Sequence, residues 1–216
     1  MSVPAIVHYT LPDSPYAMWA RGELADWLRV PKNVLVEVIG GEIVVSPART
    51  FPHAAILGDI QREFSGRGFV DTRFPWRAFQ VLGVDVVEIG DGYIPDLLVL
   101  HRQTEAEGWA GNFEFPRADQ VELVVEVTSR ASACDDREPG PGRRTTKWSG
   151  YARGGVPHYL LVDRDPSRPG VTLFGEPDRS AGSYQMLATW KLGDLVTLPE
   201  PFGIEIRTDL WRPWSD

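Results

Sequence analysis

The chain has one cysteine, Cys134, in 216 residues, so it can form no internal disulfide and offers no cysteine-based zinc site. Cys134 itself reads as a small side chain in or near a loop. Long apolar runs are missing as well. No stretch approaches the roughly 18 residues that span a bilayer, and the opening MSVPAIVHYTLPDSP has neither the basic flank nor the apolar length of a signal peptide. A cytoplasmic protein without membrane contact is the expectation. Positive charge is scarce: 22 Lys and Arg against 30 Asp and Glu leave a net charge of -8. That excludes a surface that grips polyanions all over, because counterion release depends on Lys and Arg at phosphates. One stretch runs the other way. Between Ser129 and Arg153 the bases Arg130, Arg137, Arg143, Arg144, Lys147 and Arg153 outnumber Asp135, Asp136 and Glu138. The chain also has no G-x-x-x-x-G-K-[ST] loop, no H-E-x-x-H, no C-x-x-C and no G-x-S-x-G, which removes most of the case for a phosphate-loop ATPase, a zincin or a hydrolase with a nucleophile elbow.

What is present is an ordinary globular balance, with 43% hydrophobic and 24% charged residues and eight tryptophans. It is enough for one folded domain over 1–216. Trp19, Leu24, Trp27 and Leu28 share one helical face before Pro31, which predicts an N-terminal helix over about 15–28. VLVEVIGGEIVVSP predicts a hairpin of Val34 to Val38 and Glu42 to Val45 turning at Gly40-Gly41. FPHAAILGDIQREF sets Ala55, Ile56, Ile60 and Phe64 at helical spacing, ending near Gly66 and Gly68. Short β runs follow at Phe69 to Thr72, Phe79 to Leu82, Val84 to Glu88 and Tyr93 to Leu100, and then a polar, broken stretch from His101 to Gln120. VELVVEVTS has the valine content of a strand buried on both faces. Pro139-Gly140-Pro141-Gly142 makes 130–142 a loop, an exposed and mobile one from Arg137 to Arg144, before a helix over 143–153. HYLLVD is another buried strand, and VTLF and SYQML read as a hairpin. The order predicts an α/β fold with a mixed sheet flanked by helices. Its core spans about 34–163, with the N-terminal helix and the C-terminal strands as additions.

Two acids stand out. Asp96 heads the run DLLVL and Glu126 sits inside VVEV, so each carboxylate belongs to a strand whose neighbours belong in a core. Burying a lone carboxylate costs several kcal/mol unless a hydrogen-bonded partner, a raised pKa or a metal ion relieves it. Two such acids on neighbouring strands suit Mg²⁺, a hard cation that takes oxygen ligands and keeps several waters. Ion pairing at strand ends explains the same residues about as well.

Five pieces in order then carry a resemblance: VEVIGGEIVVSP with His53 after it, IPDLLVL, VELVVEVTS, the step from Lys147 to Tyr151, and GVPHYLLVD. Together they resemble the Uma-type restriction-endonuclease family of the PD-(D/E)XK nuclease superfamily, over most of residues 34 to 163. The resemblance implies a restriction-endonuclease-like fold and a Mg²⁺-dependent endonuclease acting on DNA, with Mn²⁺ as the substitute ion. Asp96, Glu126 and Lys147 are the implied catalytic residues, and Asp96, Glu126 and Glu42 the implied metal ligands. His53 and Tyr151 are implied as accessory residues. Lys147 would place a point charge beside the scissile phosphate or orient the water. Arg143 and Arg144 could grip phosphate, and a homodimer would suit cleavage of both strands of a duplex. The superfamily's usual lysine, two residues after the acid, is Thr128 here. Asp136 and Lys147 are eleven apart, where related sequences have a spacing of four. The alternative class is a catalytically silent module that binds nucleic acid or protein on the same fold.

Overall fold

The computed structural model describes residues 11–142 and 145–215. Gly22, at φ +70°, separates α1 (Pro15–Ala20) from α2 (Leu24–Leu28). Glycine adopts that conformation without a Cβ clash, so the single expected helix is two. Gly40 and Gly41, at φ +60° and +77°, turn β1 (Leu35–Ile39) into β2 (Glu42–Ser46), two successive left-handed residues being what a tight hairpin turn needs. Helix α3 (Phe51–Val70) runs through Gly66 and Gly68, and the expected strand at Phe69 to Thr72 does not form. Ile56, Leu57, Ile60 and Phe64 dock on the core; that packing outweighs the weak helix propensity of the two glycines.

The hairpin joins β5 (Asp91–Tyr93) and β4 (Val84–Val86) in an antiparallel sheet of order β2-β1-β5-β4. A larger sheet takes β3 (Trp76–Gln80), β6 (Leu97–His101), β7 (Val121–Val127), β8 (His158–Asp163), β9 (Gly170–Asp178) and β10 (Ser183–Trp190), in the order β10-β9-β8-β7-β6-β3. Strands β7 and β8 are parallel and the other neighbours antiparallel, so the sheet is mixed. A parallel pair needs a crossover. Here it contains α5 (Ala133–Asp136) and α6 (Lys147–Gly154), the first inside a stretch expected to be loop throughout. Helix α4 (Arg102–Gly111) forms in the stretch read as polar and broken; it buries no residue, which is why no apolar periodicity marked it. A further hairpin, β11 (Leu195–Leu198) and β12 (Ile204–Arg207), closes the described chain.

One face of the large sheet is covered by α3 and the β11–β12 hairpin, through Ile60, Phe64, Val196 and Ile206 against Leu97, Val99, Leu123 and Val125. The other face carries Leu98, Leu100 and Val124, covered by Trp148, Tyr151 and Ala152 of α6 and by Val84, Val86 and Tyr93 of the small sheet. Trp19, Met18 and Leu24 close the far side of the small sheet over Val36 and Val38. Among the described residues no helix is long and apolar enough to cross a membrane.

Candidate active site

Strand alternation puts the two acids together. Asp96 directly precedes β6, two residues before Leu98, and Glu126 follows Val124 by two in β7. Leu98 and Val124 both face α6, so period two places both carboxylates on that face. The strands are antiparallel neighbours with Leu97 opposite Val125. Asp96 and Glu126 are buried, 5% and 1% exposed.

Asp96 is fully engaged. Its Oδ2 accepts a hydrogen bond from the Val127 N–H at 2.7 Å and lies 2.8 Å from His53 Nε2. Its Oδ1 accepts from the Arg49 guanidinium. Burial pushes this carboxyl up, but the His53 hydrogen bond and the charges of His53, Arg49 and Lys147 outweigh it and hold the pKa below the ordinary 3.8. Glu126 has the opposite balance. Its contacts with Lys147 Nζ at 2.9 Å and the Tyr151 hydroxyl at 3.3 Å both use Oε1. Burial drives its pKa well above 4.5, Lys147 opposes this, and the neighbouring Asp96, Asp136 and Glu37 reinforce it.

Lys147 opens α6, where Thr146 caps the helix by accepting from the Ser149 N–H. A cation at a helix N-terminus lies at the unfavourable end of the dipole, so its partners must lie elsewhere. They are Glu126, Glu37 Oε1 at 3.0 Å, the Ile94 carbonyl at 3.5 Å and, more distantly, Asp136 Oδ1 at 3.9 Å. Desolvation works against the ammonium, but the acids, Glu126 foremost, raise its pKa well above 10.5. Glu37 also accepts from the Ile94 N–H at 2.7 Å, tying the small sheet to the stretch that leads into Asp96. The eleven-residue separation of Asp136 and Lys147 therefore does not carry the lysine away. Asp136 and Lys147 both line the cleft.

Of the other residues singled out in the sequence, His53 joins Asp96 and Tyr151 joins Glu126. Glu42 is exposed at the start of β2 and does not line the cleft. Glu37, five residues earlier, lines it instead, because it lies on the buried strand of the hairpin. Arg143 and Arg144 lie outside the described residues. Sequence reading missed Glu37 and Arg49, and took Asp136 only as the acid whose spacing to Lys147 departs from that of related sequences. Glu37 carried the signal used for Glu126, an acid inside an apolar strand run, whereas nothing local marked Arg49.

The cleft these groups line has a volume of about 120 Å³. Its donors are hard oxygens, and its acids, Glu37, Asp96, Glu126, Asp135 and Asp136, outnumber Lys147 and Arg49. Asp136 Oδ2 is buried with no hydrogen-bond partner among the described residues. That chemistry fits a hard divalent cation held by one or two carboxylates and water. Against a preformed cage, among the described residues no three of His, Cys, Asp and Glu stand close enough to hold an ion together.

No curated protein matches the chain. A solved structure described as "a putative nuclease belonging to DUF820 from Anabaena variabilis ATCC 29413" is similar with a TM-score of 0.56 and 20% identity, over 86% of this chain and 94% of that one. At that identity the likeness speaks for the fold. A family model, Uma2, described as "Putative restriction endonuclease", matches residues 22–210. With most of its length under that match, the chain belongs to the Uma2 family and has the nuclease-like α/β fold.

Proposed function

We propose that the protein is a divalent-cation-dependent endonuclease that hydrolyses phosphodiester bonds of DNA, with Asp96, Glu126 and Lys147 as its central residues. The observation that carries this reading is the pair of buried carboxylates, one just before β6 and one in its neighbour β7, in a cleft lined by five acids, Glu37, Asp96, Glu126, Asp135 and Asp136, against Lys147, Arg49 and the imidazole of His53. Glu126 would hold Mg²⁺ or Mn²⁺, joined by Asp96 once Arg49 releases Oδ1. When bound, such a cation supplies neutralisation of phosphate charge and a more acidic water. His53 and the Val127 N–H orient Asp96, and Tyr151 orients Glu126. Lys147 acts from within the carboxylate cluster, balancing it and stabilising charge that develops on phosphate nearby. Arg49, on the cleft wall, can exchange a carboxylate for a phosphate, since a guanidinium matches both with two parallel N–H donors. A cytoplasmic location and a homodimer go with this reading.

The test is cleavage of duplex DNA, single-stranded DNA and RNA with Mg²⁺ or Mn²⁺ and with EDTA, for wild type and Glu126→Gln. Metal-dependent cutting of DNA, lost in Glu126→Gln by about a hundredfold or more, is the expected result. No cutting under any condition defeats it. The second reading, a silent binding module, is favoured by one observation: Asp96 has its oxygens occupied by Arg49, His53 and the Val127 N–H. Tight DNA binding without cleavage is its signature.

A further inference from the structure

Asp136 reaches the cleft from an element other than those of Asp96 and Glu126. It ends α5, on the crossover between β7 and β8, and is 1% exposed. Its Oδ1 lies 3.9 Å from Lys147 Nζ, too far for a hydrogen bond. Its Oδ2 is buried and has no partner among the described residues. A buried, unsatisfied carboxylate oxygen is costly, and one that a fold retains calls for a ligand or a use. Lys147 does not supply the partner, because its close contacts go to Glu126 at 2.9 Å and Glu37 at 3.0 Å.

Charge and donor capacity point the same way. The cleft is lined by Glu37, Asp96, Glu126, Asp135 and Asp136 against Lys147, Arg49 and the imidazole of His53, an excess of acids that a divalent cation offsets. Arg49, His53 and the Val127 N–H already engage both oxygens of Asp96, while Glu126 makes both of its contacts through Oε1. Unused oxygen capacity in the cleft therefore lies on Glu126, on Glu37, whose contacts with Lys147 and the Ile94 N–H both use Oε1, and on Asp136, whose Oδ2 is the carboxylate oxygen that is wholly buried without a hydrogen-bond partner among the described residues. Resting on the reading of this cleft as a divalent-cation site, we propose that Asp136 is a direct ligand of that cation and shares it with Glu126. Two carboxylates leave the other positions of a six-coordinate Mg²⁺ to water and a substrate phosphate.

The experiment is a titration of the full chain with Mn²⁺, reading free ion by electron paramagnetic resonance, for wild type, Glu126→Gln, Asp136→Asn, Asp136→Ser and Glu138→Gln. Glu138 is an exposed acid two residues away and controls for loss of charge alone. Both Asp136 variants and Glu126→Gln should bind Mn²⁺ about tenfold or more weakly, and Glu138→Gln within about twofold of wild type. The serine variant replaces the asparagine one should the latter fail to fold. In EDTA at pH 8, Asp136→Asn should melt no lower than wild type, because a neutral amide removes a buried charge without a hydrogen-bond partner on Oδ2. Wild-type Mn²⁺ affinity in Asp136→Asn overturns the assignment, as does no Mn²⁺ binding by wild type or equal weakening in Glu138→Gln. Cleavage separates the two proposals. Cutting that survives with an Asp136-independent ion site removes Asp136 and spares the nuclease. An Asp136-dependent ion site on a protein that cuts nothing does the reverse.

Discussion

Lys147 is enclosed by acids, and that position changes what its removal does. An ammonium free in the cleft would affect the reaction more than the fold. This one is 5% exposed and bonded to two buried carboxylates, so Lys147→Ala leaves both uncompensated. It should destabilise the protein by about 3–5 kcal/mol, measured by urea denaturation in EDTA, and bound Mg²⁺ should restore part of the loss. A variant as stable as wild type would show that the carboxylates find other partners. The acids also set a pH dependence. The unfolded chain releases the Asp136 proton near 3.8, whereas burial holds it to about 7 in the folded state, and Glu126 is raised in the same direction. Between those values the folded state binds more protons, so stability falls as pH rises. Asp96 works the other way, but its contribution is lost only below the ordinary carboxylate range. The metal-free protein should therefore melt higher at pH 5 than at pH 8, and saturating Mg²⁺ should shrink the difference. A melting temperature that rises from pH 5 to pH 8 in EDTA contradicts the cluster as described.

At the scale of elements, α6 and the crossover before it decide where the chemistry sits. Gly150 packs against Tyr93 so closely that a Cβ would run into its hydroxyl. Gly150→Ala gains about 1 kcal/mol of helix propensity yet should lose about 1–3 kcal/mol to overpacking. The net effect should be a lower melting temperature and weaker Mn²⁺ binding as Lys147 and Tyr151 shift. The crossover loop is fixed where it was expected to be free. Arg137 donates to Asp163 at 2.7 and 2.8 Å and to Asp165 at 3.0 Å, with only 15% of its side chain exposed. The exposure expected from Arg137 onward therefore begins at Glu138. Protease should cut within 138–142, and Arg137→Ala should speed that cut by releasing the anchor beside Asp136. An unchanged cleavage rate would show that the anchor does not hold the loop.

For the whole molecule, a net charge of -8 makes any DNA contact local rather than spread over the surface, and the salt dependence of binding should be correspondingly shallow, with few ions released. A steep slope in salt titrations would require a broader basic surface than the described residues present. Much of this architecture was legible in the chain. The Gly40-Gly41 hairpin, the valine-rich β7, the buried β8 and the amphipathic face of α3 each rest on local pattern, and local pattern was enough. Alternation alone put Asp96 and Glu126 on apolar strands. Helix α4 was not legible because it buries nothing, and the β11–β12 hairpin because its residues gain meaning only against α3. The sequence by itself determined which residues were expensive to bury. Tertiary structure alone decided that β6 and β7 would be neighbours, that Glu37 and not Glu42 would face Lys147, and that Asp136, eleven positions before Lys147, would lie near the same ammonium. The reason is physical: a carboxylate's cost is set by its own strand, but its partners are set by which strands pair and by how the crossover between parallel strands closes.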